Sequence, residues 1–284
     1  MGRSAKLGAV PNARRIRVSA LCLVLAGAAV AGCSSDDGGN AATTAPSADA
    51  GRALTQSEAE LLAGALFKNF DVGGATFDLA ATFRTSGDSI SLRGSIDWKN
   101  HIGSAVVTAV GAEAAVTEVY WNTSDVLERR TGLEAALTAA GHPGATFVDR
   151  TPDPTGRELD GLLGLLIGLA AKQRDNPQLV QQSGSARYLR DDVVGDRPVS
   201  VFSYDSSVFW IDATGSIARY DGVTNDGNRP VTIEFAPLAA QDIPGPRAEL
   251  VVPYESVAAA YDGLLAQAPV TQATVTPASG AGGS

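Results

Sequence analysis

The sequence holds two cysteines, two histidines and one methionine in 284 residues. That scarcity excludes a disulfide framework, a zinc site built on cysteines and a centre built on several histidines. No Gly-x-Ser-x-Gly elbow, phosphate loop or His-Glu-x-x-His occurs. The chain therefore reads as a binding protein and not an enzyme, with no cofactor and no metal implied. Basic residues are also few: 22 Lys and Arg face 31 Asp and Glu, a net charge of −9. Five of those bases, Arg3, Lys6, Arg14, Arg15 and Arg17, precede Cys33, and no acid does. The rest of the chain thus sets 17 bases against 31 acids. A body that acidic lacks the footprint of a nucleic-acid binder. What is plentiful is apolar side chain, 44% of the residues, enough to build a core.

The first residues read as an address. Arg14, Arg15 and Arg17 run into an apolar stretch from Val18 to Val30, the length of a signal-peptide h-region and short of the roughly 20 residues that span a bilayer. It ends in Val30-Ala31-Gly32-Cys33, which resembles the lipobox of bacterial lipoproteins. The resemblance implies cleavage between Gly32 and Cys33 and diacylglyceryl attachment to the Cys33 thiol. An ordinary secretory peptide with a chance cysteine is the alternative. Cys22 would leave with the peptide, and Cys33 would become a thioether, so no thiol remains for nucleophilic work. Two or more acyl chains hold a protein stably where one does not. The expected location is the cell membrane, lipid-anchored on its extracytoplasmic face. Residues 33–53, rich in Ala, Gly, Ser and Asp, read as a flexible tether and 266–284 as a disordered tail. Residues 54–265 read as one domain.

Within that body, Thr55-Gln56-Ser57-Glu58 is a capping-box pattern, and the periodicity predicts a helix over 56–69. Phe77, Leu79, Ala81 and Phe83 then alternate with polar or small residues, as do Ile90, Leu92, Gly94, Ile96 and Trp98. With Ser86-Gly87-Asp88 between them, the two runs form a hairpin. Further strands are expected at 104–110, 115–121, 185–189, 199–204, 208–212, 217–220 and 231–235. No strand–helix alternation at βαβ spacing appears, so a parallel sheet is not expected. A helical insertion fills roughly 132–176, with a short helix at 133–140 and a longer one over 155–174.

The longer helix carries eleven uncharged residues, Gly161 to Ala171. Gly161, Gly164 and Gly168 share one face, and leucines fill the others. One reading is a core helix whose glycines allow close packing. The other is a lid over a hydrophobic cavity, lined or gated by Leu162, Leu163, Gly164, Leu166, Ile167 and Gly168, with Asp160 and Lys172 ending in water. His101 and His142 read as solvated loop residues. Asp149, Asp153, Asp221 and Asp226 lie near turns without the spacing of a calcium loop.

The order of these parts, with the hairpin Val208-Phe209-Trp210-Ile211-Asp212-Ala213-Thr214-Gly215-Ser216-Ile217, resembles the LppX/LprG-type lipoproteins of mycobacteria and their relatives. The Trp-Ile-Asp-x-x-Gly hairpin is also similar to that of the wider LolA/LolB-like carriers, and Val231–Phe235 with Asp242-Ile243-Pro244-Gly245-Pro246 matches their last strand and exit. The resemblance implies an α+β fold: a strongly curved antiparallel sheet, a half-barrel wrapped around helices, with a helical lid insertion and an apolar cavity. It implies acyl chains of lipids or glycolipids as ligand, carried across the envelope, with an envelope transport protein as a candidate partner. The other reading is an extracytoplasmic sensor or protein-interaction lipoprotein with no lipid cargo. The segment 255–265 departs from the family pattern.

Overall fold

The computed structural model describes residues 51–82, 87–110, 115–224 and 229–267. The lipobox with Gly32 and Cys33, most of the tether and the tail from residue 268 lie outside the described residues. The first helix, α1 (Gln56–Val72), is set by its cap: the Thr55 hydroxyl accepts from the Glu58 amide, and the Glu58 carboxylate accepts from the Thr55 amide at 2.8 Å. It stops at Gly73, whose φ of 110° is left-handed and suits glycine.

Period-two alternation then takes over. β1 (Gly74–Thr82), β2 (Ser89–Asp97), β3 (Ile102–Ala109), β4 (Val116–Trp121), β5 (Val126–Arg130) and β6 (Phe147–Arg150) form one meander. β7 (Arg187–Val194), β8 (Arg197–Tyr204), β9 (Ser207–Asp212), β10 (Ile217–Val223) and β11 (Pro230–Phe235) form a second. β11 pairs with β1 in register Phe77↔Phe235 to Ala81↔Val231, which fuses both meanders into one open, curved sheet of twelve strands. All pairs are antiparallel save one: β12 (Val251–Pro253) runs parallel beside β6 at the sheet edge. The rest of the sheet is antiparallel, as expected.

The inner face carries Phe77, Leu79, Ile90, Leu92, Ile96, Phe202, Ile211 and Ile233, packed with α1 into the main core. The outer face is polar near the middle strands. There Arg219, Glu234, Asp78 and Arg93 stand directly opposite one another on β10, β11, β1 and β2.

Four further helices lie among the described residues: α2 (Leu133–Ala139), α3 (Glu158–Gly168), α4 (Pro177–Gln182) and α5 (Tyr254–Gln267). The expected helical insertion is split by β6, and its long helix is shorter than expected. The Asp153 carboxylate accepts from the Thr155 hydroxyl and the Gly156 amide, which holds a turn where 155–157 would have been helical. After Gly168 the chain leaves the helix and runs along α1, with the Ala171 amide donating to the Leu66 carbonyl. α2 is no part of a lid: it packs with α5 in a second, smaller core that includes Leu133, Leu137, Val148, Val257 and Tyr261. The segment that departed from the family pattern is thus α5.

Candidate functional site

The apolar side of α3 closes the half-barrel. Leu159, Leu162, Leu163 and Leu166 are buried in the main core, and Leu165 and Ile167 pack partly against it. Two side chains from other elements take up carbonyls at its C-terminal end: the Trp98 indole donates to Leu166 O at 2.9 Å, and the Asn69 amide donates to Leu169 O at 2.8 Å. Leu166 O otherwise accepts only the long 3.4 Å bond from the Leu169 amide at the cap, so the two side-chain bonds help to finish the helix inside an apolar core. Gly164 and Gly168 face the other way. Both are exposed, and a Cβ at either would meet nothing within 4 Å. Among the described residues no neighbouring helix lies against that face.

At its N-terminal end α3 is tied by charge. Asp160, expected to end in water, is buried and takes a bidentate grip from Arg150, at 2.6 and 2.7 Å, and the Asp153 amide at 2.6 Å. Arg150 also reaches Glu128, which is fully buried and meets Arg130 at 2.7 Å, Arg157 at 3.0 Å and the Tyr261 hydroxyl at 2.7 Å. Burial by itself would lower the Arg150 pKa; the bonds to Asp160 and the charge of Glu128 outweigh it and raise it. Burial, then Glu128, push the Tyr261 phenol up to about 12. Arg229 pairs with Glu158 on the first turn of α3. The cluster thus fastens β5, β6, α5 and the start of α3 together. Sequence reasoning missed it, although Glu128 and Arg130 stand two apart at inward positions of a strand, which is the one signal it left.

Clefts among the described residues lie elsewhere. One of about 350 Å³ opens beside the ion cluster, lined by Arg150, Arg157, Tyr254 and Asp262 among others. Three cross the outer face and share Glu234. They measure about 410, 580 and 740 Å³, and the smallest has Trp210 and Arg219 in its lining. None takes a lining residue from Leu162, Leu163, Gly164, Leu166, Ile167 or Gly168. Among the described residues, Trp121 Nε1 and Asn69 Oδ1 are buried without a hydrogen-bond partner. Among the described residues, no group of three or more His, Cys, Asp or Glu is placed to hold a metal ion. No helix among them is long and apolar enough to cross a membrane.

No family model and no curated protein matches the chain. Similar solved structures include LprF from Mycobacterium bovis, 12% identical with a TM-score of 0.43, which covers 69% of this chain and 100% of that one. The MucA/MucB complex of Pseudomonas aeruginosa is 13% identical with a TM-score of 0.29, over 66% of this chain and 59% of that one. A putative outer membrane lipoprotein-sorting domain from Vibrio parahaemolyticus is 8% identical with a TM-score of 0.23, over 68% and 90%. At these scores the likenesses say nothing about ligand or partner.

Proposed function

We propose that this is a lipid-anchored protein of the extracytoplasmic face that holds acyl chains of lipids or glycolipids in its half-barrel, and that α3 fills the place of the ligand when none is bound. One observation carries the reading: the sheet's apolar face is closed by a helix that meets it through leucine side chains while its far side is lined by glycines facing open space. Leu159, Leu162, Leu163 and Leu166 bring about 16 side-chain carbons, near the content of one common acyl chain, and each methylene taken from water is worth about 0.8 kcal/mol. An incoming chain of that size offsets what the leucines lose on leaving. Leu162, Leu163, Leu166 and Ile167 are then gate residues, and Gly164 and Gly168 leave the gate's outer side free of obstruction. Cys33 carries the anchor.

The test is photo-crosslinking of the full chain, purified from a lipoprotein-processing host, with a diazirine-bearing phospholipid. Crosslinks in the peptide spanning α3 and on inner positions of β1 and β2 are expected. Labelling confined to the outer face, with no lipid in native mass spectra beyond the anchor, would overturn the reading. The outer clefts around Trp210 and Glu234 favour the second reading, an interaction module, and capture of a defined envelope partner that is lost on changing Arg219 would support it.

A further inference from the structure

We propose that the strip formed by α1 and the segment leaving α3 docks on an anionic bilayer surface. This rests on the anchored reading given above and concerns a different face of the molecule. The segment from Leu169 to Asp175 runs beside α1, held by the bonds Ala171 N to Leu66 O at 3.0 Å and Asp175 N to Ala63 O at 3.1 Å. That placement sets two cations over two half-exposed aromatic rings: the Arg174 guanidinium lies 5.2 Å from the centroid of Phe67, and Lys172 Nζ lies 6.0 Å from that of Phe70. Neither cation has an acid partner in the ion pairs described.

The rings are partly in water, on a helix whose other side is core. Leu179, 65% exposed, follows on α4, which packs against α1. Aromatic rings with basic side chains beside exposed aliphatic surface suit the interface of a bilayer, where rings sit at headgroup level and cations meet lipid phosphates.

Charge and reach select this occupant. Around the two rings, over 67–72 and 169–175, Lys68, Lys172 and Arg174 face Asp71 and Asp175, one base in excess, whereas the start of α1 adds Glu58 and Glu60 and the chain beyond Cys33 is strongly acidic. A basic end on an acidic body presents that end to an anionic surface while the rest is repelled from it. The 17 residues from Ser34 to Ala50 reach at most about 60 Å, and α1 places Phe70 only about 21 Å along its axis from Gln56. The anchor thus allows the strip to touch the bilayer. Anchoring keeps the two at high effective concentration, so a weak contact suffices.

The test uses the full lipidated chain with Gln173→Cys, which becomes its one free thiol once Cys22 is removed and Cys33 is acylated, labelled with an environment-sensitive nitrobenzoxadiazole dye. The protein is reconstituted into vesicles of phosphatidylcholine with or without phosphatidylglycerol. A blue shift and quenching by brominated lipid are expected on the anionic vesicles only, lost in 1 M salt and lost in Lys172→Glu/Arg174→Glu. The same dye on Thr108→Cys, on the outer face, should show neither. A dye at 173 that stays in water on both vesicles, with the protein still floating with them, overturns the docking and leaves the strip to a protein partner. Failure to float on either vesicle overturns the anchor, and the docking falls with it.

Discussion

Replacing Glu128 by Gln is expected to be the most damaging single change in the ion cluster. The carboxylate is fully buried and sits within 3.0 Å of Arg130, Arg150, Arg157 and the Tyr261 hydroxyl. Its loss takes a carboxylate from all three arginines, of which Arg150 still grips Asp160, and the new amide turns an N–H towards cations. Removing one partner from a buried ion pair costs about 3–5 kcal/mol, because the remaining charge stays out of water. For a body of this size about 2–4 °C follows each kcal/mol, so Tm should fall by about 6–20 °C. The comparison is Asp78→Asn, which removes the 2.5 Å pair with Arg93 on the outer face. Those side chains are 62% and 83% exposed, so that change should cost about 0–1 kcal/mol. It also relieves the repulsion from Glu234, directly opposite Asp78. Urea titrations of both variants, read by circular dichroism on the protein from Ser34 onwards, give the answer. A Glu128→Gln loss within about 1 kcal/mol of the Asp78→Asn loss would refute the claim that burial makes this cluster structural.

Glycine changes should separate open from crowded positions. Gly164→Ala gains about 0.5–1 kcal/mol, since an alanine there meets open space within a helix, whereas Gly94→Ala drives a Cβ into the Ser104 carbonyl and loses about 1–3 kcal/mol, both readable as shifts in Tm. Leu166→Ala, at a fully buried site, should cost about 2–5 kcal/mol by denaturation and, with α3 as a surrogate ligand, raise the lipid retained in native mass spectra. Glu58 titrates at about 2 because its carboxylate accepts a bidentate bond from Arg52. A depressed carboxylate contributes stability at neutral pH that is lost as pH falls from about 4.5 towards 2. Glu58→Gln should therefore narrow the stability gap between pH 6 and pH 3, measured by urea titration at each pH; an unchanged gap would show the pair to be inert.

Much of the sheet is legible in the chain because its strands alternate cleanly and end in turn residues. Phe77 to Ala81 and Ile90 to Ile96 pair in the structure as their alternation predicts. β5 is not legible: Val126-Leu127-Glu128-Arg129-Arg130 holds three charges in five residues, and two of them point inward. A local pattern treats charge as solvent-facing, and only the distant partners Arg150, Arg157 and Tyr261 make the inward choice affordable. The same distance hides Asp160 at the head of α3. The glycines of that helix show the other kind of gap. Their spacing correctly puts them on one face, but which face meets the sheet is decided by the leucines and by Trp98, from another part of the chain.

The seam between β1 and β11 has a consequence for how the molecule comes into being. Phe77 meets Phe235 across it, so the strand in the middle of the sheet is among the first made and waits for one of the last. The strands from β1 to β6 pair with neighbours as they emerge, but β1 keeps a raw edge until nearly the whole body has appeared. Pairings of such long sequence separation close slowly, and an apolar edge left open is prone to wrong partners. The period of greatest hazard for this protein is therefore the interval in which its central strand is present and β11 is not.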